Sequence, residues 1–172
     1  GTSIITFTVS YDDDNFNEHE DAVQTITLSF HACRKRVTMD KIVALSGKKT
    51  LKVVSTRSKD TDDEMDVVVS APPETMATLS AIDLHVTFTG RIATDPADIS
   101  GVYLFPVGNR GGVAIATHFE VSHARSAFPC PDMPTIRLQS WRLTLVLPKC
   151  FSQSDNVISN TPLADVKRSV GQ

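Results

Sequence analysis

Period-two alternation of apolar and polar residues constrains this chain more than any other feature. In "SIITFTVSY" (3–11) the apolar set is Ile5, Phe7, Val9 and Tyr11, and in "AVQTITLSFHA" (22–32) it is Ile26, Leu28, Phe30 and Ala32. Alternate residues of an extended chain point to opposite faces, so this spacing describes a half-buried strand and not a helix. The acidic run "DDDNFNEHED" (12–21) supplies a turn between the two, which are expected to pair as a hairpin. "TLKVVSTR" (50–57) and "MDVVVSAP" (65–72) flank a second acidic turn, and Pro72-Pro73 ends the later strand. In "LSAIDLHVTFTGRI" (79–92) Leu79 and Ala81 alternate, then Leu84, Val86 and Phe88, and the change of phase at Asp83 predicts a bulge or a switch of face. "GVYLFPV" (101–107), "GGVAIATHFE" (111–120) and "SWRLTLVLPK" (140–149) complete eight or more strands, each bounded by Gly or Pro. The single helical expectation is a short turn from Ser122, as cap, to Phe128, ended by Pro129. The expected fold is all-β, with antiparallel curved sheets packed as one domain over residues 1–172.

A chain of 172 residues that is 41% hydrophobic is long enough to bury a core of that kind. Its net charge of -3 excludes a dedicated nucleic-acid binder, which needs a positive surplus to displace counterions from phosphates. No apolar run approaches the ~20 residues of a membrane-spanning helix, and the amino end lacks the basic and apolar regions of a signal peptide. Cys33, Cys130 and Cys150 are odd in number and scattered, which fits reduced thiols better than a disulfide framework. The expected setting is therefore cytoplasmic.

Several constellations resemble chemical sites and fail on spacing. His19-Glu20 begins a metallopeptidase pair, but the second ligand must follow on the same helix face, and that position is Val23. Asp13, Asn15 and Asn17 have calcium-loop spacing, yet Glu18 stands for the turn glycine and Gln24 for the bidentate acid. "SGKKT" (46–50) lacks the earlier glycine of a phosphate loop. His118, His123 and Cys130 match no metal-ligand spacing and read as core or edge residues. No catalytic residue and no metal ligand is assigned in this chain.

The stretch "ATHFEVSHARSAFPCPDMP" (116–134) carries Thr117, Glu120, Ala124, Arg125, Phe128, Pro129, Cys130, Asp132 and Pro134 in one gapless register. It resembles the signature T-Q-x-E, a spacer, then A-R-x-x-F-P-C-x-D-E-P, of the amino-terminal domain of zinc aminopeptidases related to aminopeptidase N, puromycin-sensitive aminopeptidase and leukotriene hydrolase. "SGVYLFP" (100–106) stands where that family has a G-x-Y strand, "SWRLTLVLPK" where a strand and V-P follow, and "VISN" (157–160) where an S-N turn lies. The resemblance runs from about Leu79 onward.

What it implies is a saddle-shaped all-β domain that packs against a thermolysin-like catalytic domain of the same parent chain and meets its peptide substrates. The zinc belongs to that catalytic domain, through a His-Glu-x-x-His helix and a distant Glu, so this chain alone is not expected to hydrolyse peptides. Ending near "KRSVGQ", it reads as a truncated amino-terminal domain. In catalytic relatives the Glu of T-Q-x-E binds the substrate α-amine, a place held here by Glu120. His118 replaces the Gln that lines the pocket for the first side chain; histidine is bulkier and carries a titratable ring. Arg125 and Asp132 are implied framework residues, with Phe128 in the core, Pro129 ending the short helix, Cys130 a buried apolar thiol and Pro134 closing the motif. Met133 replaces the usual Glu. The departures at His118 and Met133 keep open an alternative, a fold-sharing non-catalytic relative that acts as a protein-interaction platform.

Overall fold

In the computed structural model the described residues are 1–8, 24–59, 63–108, 111–132, 142, 144, 146 and 158–162. They contain β1 (Thr2–Thr8), β2 (Gln24–His31), β3 (Val37–Ser46), β4 (Lys49–Ser58), β5 (Glu64–Ala71), a one-turn helix α1 (Pro73–Met76), β6 (Ala81–Gly90), β7 (Gly101–Val107), β8 (Gly112–His118) and a 3-10 turn at Ala124–Ser126. The antiparallel all-β expectation holds. The chain divides into two compact units, Gly1–Arg137 and Leu138–Gln172.

Within the first unit, six strands form one curled half-barrel sheet in the order β1-β6-β3-β4-β5-β2, and β7 and β8 form a separate ribbon. β4 and β5 make the expected hairpin, from Lys52 opposite Ser70 to Ser58 opposite Met65. The first expected hairpin does not form. β1 pairs with β6 and β2 with β5, so the two lie at opposite edges of the sheet. Alternation identifies a strand but says nothing of its partner, and only a tight turn of defined type sets hairpin register.

The expected irregularity at Asp83 is also absent. β6 runs in regular register with Ile82, Leu84 and Val86 fully buried, and Asp83 on the other face accepts a hydrogen bond from Thr6 Oγ1 at 2.6 Å. The apparent phase change arises because Leu79 precedes the strand, packing into the core after α1. The bulges lie elsewhere, between Met39 and Lys41 in β3 and between Val53 and Ser55 in β4.

The core is built from alternate residues of these strands. Phe30, Val67, Val69, Ile82, Leu84 and Val86 have almost no exposed surface, and each such side chain contributes about 1.5–3 kcal/mol on burial. α1 begins with Pro73, whose fixed φ suits a first helical position, and adds Met76 to the same core. No helix among the described residues is long and apolar enough to cross a membrane.

In the second unit Arg142, Thr144 and Val146 are exposed, and the chain bends at Asn160–Thr161, where Thr161 N donates to Ser159 Oγ at 3.1 Å. The expected turn at 12–21, the rest of the 140–149 strand, Met133 and Pro134 lie outside the described residues.

Candidate functional site

The β7–β8 ribbon sets Gly101 opposite His118, the last residue of β8. Gly101 has φ +72°, and a Cβ on it would lie 3.0 Å from the backbone of Ser126, so the ribbon meets the 3-10 turn only because this residue has no side chain. The approach to β7 is held from β3's side. Arg36 Nη1 donates to Ser100 O at 2.6 Å, and its guanidinium pairs with Asp98. Ala93 adds two backbone bonds along the outer edge of β7, Ala93 N to Val102 O at 2.9 Å and Leu104 N to Ala93 O at 2.8 Å.

Beyond β8 the chain turns back at once. His123 N donates to Phe119 O at 3.0 Å, and the Glu120–Val121 peptide is cis. Glu120 is exposed at the tip, and its carboxylate has no partner among the described residues. His118 and His123 come together edge to face, with ring centroids 5.5 Å apart and planes at 75°. Phe119 and Phe128 pack in the same manner at 5.4 Å and tie the turn to the segment that follows.

That segment, Ala124 to Asp132, is shorter in its helical part than expected. Only Ala124–Ser126 is 3-10, His123 precedes it, and no side chain caps it, so Ser122 does not play that role. A single turn is closed by Ala127 N and Phe128 N, both bonded to Ala124 O, before Pro129 prevents continuation. Arg125 and Asp132 clasp the loop. Arg125 Nε donates to Asp132 Oδ2 at 3.0 Å, Nη2 to Asp132 O at 2.6 Å, and the Arg125 amide to the same Oδ2 at 3.2 Å. Both side chains are less than a fifth exposed, so the charge-assisted bonds act in a partly dehydrated setting.

The clasped loop bridges the two free edges of the curled sheet. On one side Ser3 Oγ of β1 donates to Pro129 O at 2.8 Å. On the other, His31 of β2 and Cys130 exchange backbone bonds at 2.8 and 3.0 Å, and Asp132 N donates to His31 Nδ1 at 3.4 Å. Cys33 N adds a bond to Arg125 O at 2.8 Å. A half-barrel with two unpaired edges is thus closed by one short loop. Ser3, His31, Cys33 and Gly101 belong to this framework, and sequence reading missed them because their partners lie far along the chain.

Cys130 is buried within the closure, and its thiol is pushed up to about 12, first by burial and then by the Asp132 carboxylate. It is no nucleophile at neutral pH, since the thiolate is the reactive form. His118, His123 and Cys130 do not assemble as a trio: Cys130 pairs with β2, and among the described residues no three of His, Cys, Asp and Glu gather as a metal cluster. The sequence also lacks a His-Glu-x-x-His pair. The residues described here therefore do not fit the zinc centre of a metallopeptidase, and no hydrolytic step runs through them.

Comparison with known families agrees with the geometry. The profile of the Peptidase M1 N-terminal domain matches residues 5–171, all but the first four residues and the last. The match takes in the curled sheet, the ribbon and the closing loop, and it continues through the second compact unit. This chain belongs to the family of amino-terminal domains of the M1 aminopeptidases.

Proposed function

We propose that this domain serves substrate recognition in a zinc metalloaminopeptidase that removes residues from the amino ends of peptides, with Glu120 as the anchor for the substrate α-amine. The observation that carries the proposal is the uncommitted carboxylate of Glu120, exposed at the tip of a turn whose base is fixed by the β7–β8 register and the Phe119–Phe128 contact. An acid with no internal partner is free to accept charge-assisted hydrogen bonds from an ammonium. Once a catalytic domain covers the turn and excludes water, the same bonds strengthen. Fixing the amino terminus sets which peptide bond reaches the metal, and so converts binding into register.

His118, half-buried at the end of β8, is proposed to line the pocket for the first side chain. The partner is the catalytic domain of the same parent chain, and residues 1–172 are read as one domain because the family match spans both compact units. A cytoplasmic setting belongs to the same proposal, supported by the unpaired thiols of Cys33 and Cys130. The second reading, a non-catalytic interaction platform, draws on His118 and Met133 standing where relatives have Gln and Glu.

Kinetics of the full-length protein test the assignment. Loss of one charge-assisted bond of about 1.5–3 kcal/mol predicts that Glu120→Ala lowers kcat/KM roughly 10–100-fold on substrates with a free amine. Unchanged kcat/KM removes Glu120 from amine binding. A full-length chain without His-Glu-x-x-His and its distant Glu decides for the platform.

A further inference from the structure

We propose that the cleft where β4 parts from β5 is a binding site for small organic phosphates, with Lys49 and Lys52 holding the phosphate group. The inference rests on this cleft alone and does not depend on the role given to Glu120.

The cleft follows from the strand register. On one side β4 pairs with β3 from its first residue, with Lys49 opposite Ser46, Thr50 opposite Leu45 and Leu51 opposite Ala44. On the other, its pairing with β5 begins only at Lys52 opposite Ser70, and at Pro72-Pro73, which have no amide to extend the ladder, the chain leaves for α1. The gap so left is an open cavity of about 410 Å³, within the roughly 300–1,000 Å³ of small-ligand sites. Ser46 and Lys49 flank a two-residue turn and bond each other, and antiparallel bonds alternate between the two sides of a strand. The amide and carbonyl of Thr50 therefore face away from β3, toward the gap.

The chemistry of the lining is that of an anion site. Lys49 and Lys52 both line the cleft, and neither has an ion-pair partner among the described residues, whereas Arg36, Lys59 and Arg125 are each paired with an acid. Thr50, Ser70 and Thr75 line it too, and a hydroxyl is a donor that rotates to suit its acceptor. Among the described residues no Asp or Glu joins them. A phosphate monoester carries a charge of about -1.5 to -2 at pH 7 and offers three acceptor oxygens, which match two ammonium groups and a set of hydroxyl donors.

The remaining wall selects for an organic body. Leu51 and Pro72 present apolar surface beside the lysines, and inorganic phosphate has nothing to bury there. The run at 46–50 is a hairpin turn and not a phosphate loop, yet its glycine serves the site. Gly47, at φ +57°, makes the tight turn that sets Lys49 at the head of β4.

Titration of phenyl phosphate into the isotope-labelled 172-residue chain, followed by two-dimensional NMR at low ionic strength, is the test. The expected result is saturable shifts of the Thr50, Leu51 and Ala71 amides. Lys49→Gln and Lys52→Gln each weaken binding roughly threefold to fivefold, the worth of an exposed charge pair, whereas Lys41→Gln, an exposed position on β3, leaves it unchanged. Inorganic phosphate, without the apolar body, and benzoate, with a single charge, each bind several-fold more weakly than phenyl phosphate. Amide resonances away from the cleft verify the fold of each variant, and if one unfolds, the other decides. The site is overturned by an absence of saturable shifts, by binding indifferent to both lysine substitutions, or by inorganic phosphate or benzoate binding as tightly as phenyl phosphate.

Discussion

Removing the carboxylate of Asp132 should open the half-barrel at both edges, because its side chain clasps the loop on which β1 and β2 both depend. Asp132 Oδ2 accepts two bonds, from Arg125 Nε at 3.0 Å and from the Arg125 amide at 3.2 Å. Hydrogen bonds to a charged acceptor contribute about 1.5–3 kcal/mol each, and with side chains only 17% and 12% exposed, solvent screening reduces this little. The longer bond counts for less, and Arg125 Nη2 keeps its bond to Asp132 O in the variant. Asp132→Ala should therefore lose about 2–4 kcal/mol, part of it from leaving the guanidinium half-paired. Urea unfolding measures the loss, and the melting temperature should fall by roughly 4–16 °C. Asp132→Asn keeps the shape and one acceptor without the charge, so it should lose about half as much. Native-state hydrogen exchange locates the effect. The amides of His31, Cys33 and Cys130, bonded across the loop, should lose protection before those of β6 at the centre of the sheet. A cost below about 0.5 kcal/mol, typical of a plain surface position, would falsify the closing role, as would unchanged protection at those three amides.

Two further outcomes follow from the same framework. Gly101→Ala should destabilise by about 1–3 kcal/mol in thermal unfolding, since it adds a Cβ 3.0 Å from Ser126 backbone at a φ of +72°; Gly108→Ala, also at positive φ but with nothing within 4 Å, isolates the strain from the clash and should cost less. The Cys130 thiol should resist alkylation in the native chain across pH 7–9 and react only on unfolding. Its folded pKa is raised from 9.0 to about 12, so the contribution to stability is complete below pH 9 and is lost as pH rises toward 12, by up to about 1.4 kcal/mol per pH unit; a Cys130→Ala chain with the same alkaline slope contradicts that linkage.

Strand positions were legible in the sequence because period two is a local property, and Ile26, Leu28 and Phe30 announce a strand without reference to anything else. β3 escaped because the bulge at Asp40 shifts the phase between Val37–Met39 and Ile42–Ala44, so that no window shows unbroken alternation. α1 escaped because Pro72-Pro73 reads first as the end of β5, although Pro73 at a first helical position is also a start signal. Pairing was not legible, as β1 and β6 meet only after the chain has made four other strands. The site divides in the same way. Arg125 and Asp132 lie seven residues apart, and their clasp is a local possibility that side-chain chemistry suggests. The partners of their loop, Ser3 at a separation of 126 and His31 at 101, carry no local signal at all. The approach of His118 to His123 was hidden too, since "FEVS" between them has no Gly or Pro to mark a reversal.

The loop from Ala124 to Asp132 is thus a mechanical closure, and the reason is electrostatic. A loop that must hold two sheet edges at once, one through backbone bonds to His31 and the other through the Ser3 hydroxyl, has to be rigid, and rigidity in nine residues comes from a charge-assisted clasp, a proline and a buried apolar thiol rather than from a helix too short to be stable. Those same commitments disqualify its members from substrate chemistry: Arg125 and Asp132 are bound to each other, and the Cys130 thiol is held protonated. Next to the loop, the Glu120 carboxylate and the Nδ1 atoms of His118 and His123 have no hydrogen-bond partner among the described residues. A recognition group on a mobile loop would spend binding energy on ordering itself. Under the proposed anchoring role, Glu120, set one turn away from a closed barrel edge, is spared that cost, so weakening the clasp should impair amine binding before it unfolds the domain.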